Sequence, residues 1–431
     1  MASVAELEGA YRLMNNEHVS EKALLAPHQK RTWERASQAP WVLSVEDTTE
    51  LRFGGELERD GLGELMNGGQ GFYLHMALLV LPSERGFGVP VGVGAYEILV
   101  RDAEREPKTW KQRIKDPTRE SMRWHRVSDA VAEQAKAVNL PVVHVCDREA
   151  DDYAWLESVL KRDGRFVVRN AYNRRVDDAK GSPDTRVYLR DQVSSQKPVI
   201  ATREVRFQAR TTSGGRRRKD PRAPRKTLLE IRAAPVQIVR PERTTAKART
   251  LALNVVAVTE PNPPHGEEPI EWILLTTEAI ENEADVLRVV DAYRARWLIE
   301  EFFKALKTGC QYERLQFETL RGLQNALALC LVMAWRMLAL RTYARDMPDE
   351  PVEKAIEPDY LRALQRLAKN PKNPWGLKLG KRPTVGDVLY AVARLGGHLK
   401  NNGAPGWLTL SRGFEVLEQM MVMLEAMEIE L

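Results

Sequence analysis

Three short stretches put carboxylates where chemistry could use them. In "WVLSVEDTTEL", an apolar run from Trp41 to Val45 ends in Glu46 and Asp47. In "PVVHVCDREADDY", a second apolar run ends in Asp147, with Glu149, Asp151 and Asp152 close behind. In "DAYRARWLIEEFFKALKTG" (291–309) the residues carry a helical period. At about 100° per residue, Tyr293, Arg296, Glu300, Lys304 and Lys307 fall on one stripe, with Leu298, Ile299, Phe302, Phe303 and Leu306 opposite. One carboxylate among cations and a phenol suits a metal beside phosphates, because Lys, Arg and Tyr all contact phosphate oxygens. If the two strand-end acids meet Glu300, three hard oxygen ligands with open positions suit Mg²⁺ or Mn²⁺. Such ions activate a water or a 3′-hydroxyl at a phosphodiester and stabilise the leaving oxygen. Each residue has a plainer alternative. Asp47 can cap a turn, Asp147 can cap the helix that starts near Asp151, and Glu300–Lys304 can be an ordinary i,i+4 pair.

The elements that must position these residues follow from pattern. Trp41–Val45, "GFYLHMALLVLPSE" and "GFGVPVGVGAYEILVRD" read as strands with Gly/Pro punctuation, hence antiparallel neighbours. "TRESMRWHRVSDAVAEQAKAVN" (118–139) reads as a helix, the Asp147 stretch as a strand, 151–164 as a helix closed by Gly164, and "RFVVRNAY" as a strand. This order predicts an α/β fold with a mixed sheet and helices on its faces. From 175 to 280 strand-like runs dominate, interrupted by "TTSGGRRRKDPRAPRK". That region reads as an all-β insertion with a basic loop. From 283 onward the chain reads as mostly helical.

Composition narrows the class. The 431 residues allow two or three domains, and 43% hydrophobic with 29% charged content suits a globular protein. No apolar run reads as a membrane span, and the N-terminus has no signal pattern. Three cysteines at wide spacing (Cys146, Cys310, Cys330) argue for a reducing cytoplasm and against a disulfide frame or zinc cluster. Cys146 beside Asp147 reads as a core thiol rather than a nucleophile. The seven histidines include no HExxH pair. Residues 201–250 hold 15 Lys/Arg against 4 Asp/Glu, a net of +11, so the rest of the chain carries −6. Such asymmetry fits a nucleic-acid surface or, equally, a solvated basic loop.

"EDTT" (46–49), "CDREAD" (146–151) and "YRARWLIEEFFKALKTG" (293–309) resemble the bacterial DDE transposases of the IS-four family, nearest the Tn-five type. The last segment matches that family's Tyr–(2)–Arg–(3)–Glu–(6)–Lys signature at Tyr293, Arg296, Glu300 and Lys307. Further likeness lies in "EGAYRLMNN" (8–16), "RFVVRN" (165–170), "NPPHGEEPIEWILLT" (262–276) and "ARLGGH" (393–398). The resemblance implies a ribonuclease H-like mixed sheet with an inserted β-domain and a C-terminal helical domain. It implies segments at 1–38 (remnant of a helical DNA-binding domain), 39–175 (catalytic core), 176–280 (inserted β-domain), 281–345 (core, Glu-bearing helix) and 346–431 (dimerisation). The catalytic and metal-binding triad would be Asp47, Asp147 and Glu300, holding two Mg²⁺ or Mn²⁺ ions. Tyr293, Arg296 and Lys307 would hold transposon-end DNA, with Lys304 on the same stripe. Trp272 would stack on an extrahelical base, with Trp297 as a second stacking candidate. Arg148 and Arg169 would contact DNA near the site. The activity implied is cut-and-paste transposition: nicking, hairpin formation and opening, then strand transfer. The partners implied are double-stranded DNA with terminal inverted repeats, target DNA and a second copy of the chain. Met1 comes shortly before the match begins, so the resemblance also implies that most of the end-recognising domain is missing. The alternative is therefore a dimerising inhibitor of a longer transposase. The Met/Leu-rich face of "GFEVLEQMMVMLEAM" (413–427) suits such a helix–helix contact, and suits ordinary core equally.

Overall fold

The computed structural model describes residues 4–55, 58–66, 68–101, 108–177, 187–194, 197–207, 224–399 and 401–426. Most of the basic loop expected at 211–226 lies outside the described residues. In chain order the elements begin with α1 (Val4–Asn15), α2 (Glu21–Ala36), β1 (Val42–Phe53), β2 (Gly63–Glu64), β3 (Gln70–Leu81) and β4 (Val89–Leu99). Next come α3 (Trp110–Lys115), α4 (Met122–Ala137), β5 (Val142–Cys146), α5 (Tyr153–Lys161), β6 (Arg165–Arg169), β7 (Arg175–Val176), β8 (Val187–Tyr188) and α6 (Leu189–Gln192). Then follow β9 (Ala201–Phe207), β10 (Arg225–Val239), β11 (Thr250–Thr259), β12 (Glu271–Thr276), α7 (Glu283–Ala295) and α8 (Trp297–Lys304). The chain closes with α9 (Leu320–Asp346), α10 (Pro358–Lys369), α11 (Val385–Leu395) and α12 (Trp407–Ala426). The fold is mixed α/β.

These elements form two compact units. The first comprises 1–109, 118–142 and 295–431. Here β1 pairs antiparallel with β3 from Leu43↔Val80 to Phe53↔Gln70, and β3 pairs antiparallel with β4 and, at its start, with β2. The expected meander is present, with one correction. The first strand does not stop at Val45 but runs to Phe53, so Asp47 is mid-strand rather than at a tip. Asp is a poor strand former, which is why the acids read as an end. Continuous pairing with β3 outweighs that preference. Helix α4 lays Trp124, Val127, Val131 and Ala135 toward the core, where Trp33, Val42, Leu79, Val91 and Leu140 are also buried. Helix α2 covers β4: Trp33 Nε1 donates to the Gly94 carbonyl at 3.4 Å, Gln29 Nε2 to the same oxygen at 3.2 Å, and Arg35 Nε to Val91 O at 2.9 Å. At Gly92, φ is +144° and any Cβ would run into Thr32, so only glycine permits this close approach.

Helix α9 starts at Thr319, whose Oγ1 accepts Gly322 N at 3.1 Å. It is long and apolar enough by length and composition to cross a membrane, which the sequence reading did not detect. In the fold 61% of its apolar window is buried. It packs with α1, α2, α8, α11 and β4, as a core helix does. Helix α12 also touches it and bridges to α10, and Arg336 Nη1 donates to Tyr360 Oη at 2.8 Å and to Glu418 Oε1 at 3.1 Å.

The second unit comprises 110–117 and 143–294. Strand β5 pairs parallel with β6, and α5 makes the crossover, burying Trp155, Leu156 and Val159. Beyond β6 the order is β12, β11, β10, all antiparallel, with β9 and β7 on β10 and β8 on β7. One parallel pair in an otherwise antiparallel ladder makes this sheet mixed, as expected. The strands expected between 198 and 277 form as β9 to β12.

Candidate functional site

In the first unit two of the three acids share one cation. Asp47 is half-buried on β1 and its Oδ2 accepts Arg296 Nη1 at 3.0 Å. The other amino group of Arg296 donates to Glu300 one helical turn on. Asp47 Oδ1 accepts the Thr48 amide at 2.7 Å. Strand β1 and helix α8 thus aim two carboxylates at a single guanidinium. Planar, donor-only Arg is the side chain best shaped for that arrangement.

The helix expected over 291–309 is not continuous. Residue Arg296 separates α7 from α8, and Ala305–Gly309 is a π-turn. Such turns occur at functional sites because the extra residue re-aims neighbouring side chains. Tyr293 ends up buried in the second unit, while Arg296, Glu300, Lys304 and Lys307 belong to the first. Lys307 Nζ donates to Glu50 O at 2.5 Å, tying the π-turn to β1, and lies 3.7 Å from Glu313. Lys304 Nζ lies 4.7 Å from the ring centroid of Trp297, which is 43% exposed. That pair presents an aromatic face and a charge together.

In the second unit Asp147 directly follows β5, as expected. Its Oδ1 accepts the Glu149 amide at 2.8 Å and so caps the short 3₁₀ turn Arg148–Ala150. It does not cap α5. That role belongs to Asp152, whose Oδ1 accepts Ala154 N at 2.8 Å. Arg148 is exposed. Arg169 Nη2 donates to Glu271 O at 2.9 Å. The Trp272 ring on β12 meets Tyr293 edge-on, centroids 5.4 Å apart.

Asp151 overturns its expected place as a mere helix-start acid. It is buried and paired with Arg174 at 2.6 Å, and it accepts Asn170 Nδ2 at 2.9 Å and Ala171 N at 2.7 Å. Burial pushes its carboxyl above the ordinary Asp value, with Arg174 and the amides pulling back. This is a structural hub that fixes the turn after β6 to the turn after β5. The only hint in the sequence was its spacing from Asp152, which is the residue placed to cap the helix.

Asp47 and Glu300 offer hard oxygens to one positive charge, and that donor chemistry fits a divalent ion. Among the described residues no three His, Cys, Asp or Glu side chains gather closely enough to hold a metal together.

Residues 123–336, just under half the chain, match the family model described as the transposase DDE domain. That span includes Asp147 and Glu300 and begins after Asp47. The match supports a DDE transposase. Among solved structures, the chain is similar to the piggyBac transposase in a synaptic complex with hairpin DNA, at 11% identity and a TM-score of 0.32. The likeness covers 80% of this chain and 55% of that one, so this chain spans about half the length of the protein it matches.

Proposed function

We propose that the chain is a metal-dependent DDE transposase that cuts and joins transposon-end DNA by cut-and-paste, on a ribonuclease H-like core with an inserted β-domain. The observation that carries this reading is the convergence of Asp47 and Glu300 on Arg296 in a chain matching the transposase DDE domain. Asp47, Asp147 and Glu300 would hold two Mg²⁺ or Mn²⁺ ions, which would supply charge stabilisation to the attacking and leaving oxygens at phosphorus. Arg296 contributes a cation beside that centre and can turn to a phosphate. Trp272 offers a ring face to an extrahelical base, offsetting the cost of unstacking. Trp297 is a second stacking candidate, and Lys304, Lys307, Arg148 and Arg169 are assigned to DNA contacts around the site. Nicking, hairpin closure, hairpin opening and strand transfer are all in-line displacements at phosphorus, so one site serves each in turn. Partners in this reading are inverted-repeat DNA ends, target DNA and a second copy of the chain. Helix α12 leaves Val422 and Met423 exposed, each at 64%, which favours the last of these.

The test mixes the protein with DNA carrying its flanking inverted repeats and Mg²⁺, then resolves nicks and hairpins on a denaturing gel. Asp147→Ala is expected to abolish cleavage while DNA binding stays within about threefold, since a carboxylate adds nothing to phosphate affinity. Wild-type protein that cuts with neither Mg²⁺ nor Mn²⁺, yet suppresses transposition by a longer form, would establish the dimerising inhibitor instead.

A further inference from the structure

Side chains alternate across a strand, so Asp47 and Thr48 leave β1 on opposite faces. Behind the strand, Thr48 Oγ1 accepts Arg123 Nε at 3.0 Å and lies 2.9 Å from His75 Nδ1. Thr48 and His75 are direct cross-strand partners in the β1–β3 register. Arginine only donates, so the Thr48 oxygen is the acceptor for Arg123, and the same hydroxyl also engages His75 Nδ1. None of the three groups has slack. His75 is fully buried against Trp124, ring centroids 4.3 Å apart, and Arg123 is buried with Nη1 donating to Glu120 O at 2.8 Å. The Thr48 side chain is thus gripped from the neighbouring strand and from the start of α4. Its own amide is the donor to Asp47 Oδ1 at 2.7 Å. Whatever fixes the Thr48 peptide unit fixes the direction of that donor, and with it the carboxylate.

The geometry points to Arg123, Thr48 and His75 as positioning residues that hold Asp47 in its metal-binding orientation from the far face of β1. Their assigned part is orientation, not contact with DNA or the reacting atoms. This rests on the transposase reading for the role of Asp47. Outer-shell partners of ligating carboxylates commonly matter nearly as much as the ligands, because they remove the entropy of orienting them.

The measurement is Mn²⁺ binding to the purified full chain, followed by the paramagnetic resonance of free Mn²⁺, with thermal melting in parallel. Thr48→Val keeps the amide and the shape but leaves Arg123 Nε and His75 Nδ1 without their shared partner. It is expected to weaken Mn²⁺ binding about tenfold, Arg123→Gln similarly, and Thr48→Ser by less than about twofold, in line with outer-shell effects. A purely structural role lowers the melting temperature of Thr48→Val without moving the Mn²⁺ affinity of the folded protein. That result, or a Thr48→Ser as weak as Thr48→Val, overturns the inference. If Thr48→Val does not fold, Arg123→Gln against Thr48→Ser decides by the same criterion. Wild-type protein that binds no Mn²⁺ overturns the metal-dependent reading and this inference with it. Wild-type binding with an indifferent Thr48→Val overturns the inference alone.

Discussion

Arg296 donates to both Asp47 and Glu300, and this double contact offsets the repulsion between two carboxylates drawn to one cation. Without the cation, like charges would face each other at low exposure. Arg296→Ala is expected to lower stability by about 1.5–3 kcal/mol, the range for hydrogen bonds to charged groups. Added Mg²⁺ should raise the melting temperature of the variant more than that of the wild type, because the ion then compensates two unpaired carboxylates. Equal Mg²⁺ shifts in the two proteins would show that these acids do not share a cation site. Asp151 teaches a different lesson at the same scale. An acid two residues from the helix it seemed to start is a buried hub with Arg174, and its neighbour Asp152 does the capping. Identity and spacing named the acids of this stretch, but only burial sorted them.

At the scale of elements, α2 and β4 are joined by side chain to backbone contacts, and one of them titrates. His28 Nε2 accepts the Val93 amide at 3.1 Å, and its ring meets Trp335 edge-on at 5.0 Å. Burial, with Arg35 and Arg336 nearby, lowers its pKa from 6.5 to about 3. Between these values the unfolded chain binds the proton and the folded chain does not. The contribution of His28 is therefore fully present above pH 6.5 and is lost as pH falls toward 3. His28→Gln keeps an acceptor for Val93 and cannot charge. Its stability relative to wild type should improve on going from pH 7 to pH 4 by on the order of 2–3 kcal/mol. Urea unfolding at several pH values measures this, and parallel pH profiles for the two proteins would refute it. The α7–α8 break belongs to this scale too. No glycine or proline marks Arg296, and the apolar period runs through it unchanged, so local sequence reads one helix. The contact from Arg296 to Asp47, 249 residues away, is tertiary information.

For the whole molecule, charge is the property with reach. The +11 of residues 201–250 against −6 elsewhere concentrates any attraction to a polyanion in one region. Replacing Arg216, Arg217, Arg218 and Lys219 together by Ala is expected to weaken DNA binding uniformly across sequences. It should also reduce the slope of log affinity against log salt by about 2–4, through fewer released counterions. An unchanged slope would show that this loop does not meet DNA. The hydrophobic segment α9, long enough for a membrane, is a core helix here because other helices and β4 cover its apolar face.

By itself the sequence determined the mixed α/β class, the antiparallel meander, the strand before Asp147, the β-rich middle and the helical end, because periodicity and turn residues act locally. It also singled out Asp47, Asp147 and Glu300, since acids interrupting apolar runs are visible without a fold. Tertiary structure decided that Asp47 lies mid-strand, that Tyr293 is buried, and that Asp151 is a hub. It also decided that Arg123 and His75 meet at Thr48. Each of these depends on partners 19 to 249 residues away. Pairing energy between distant segments overrides local propensity, and no window along the chain contains both partners.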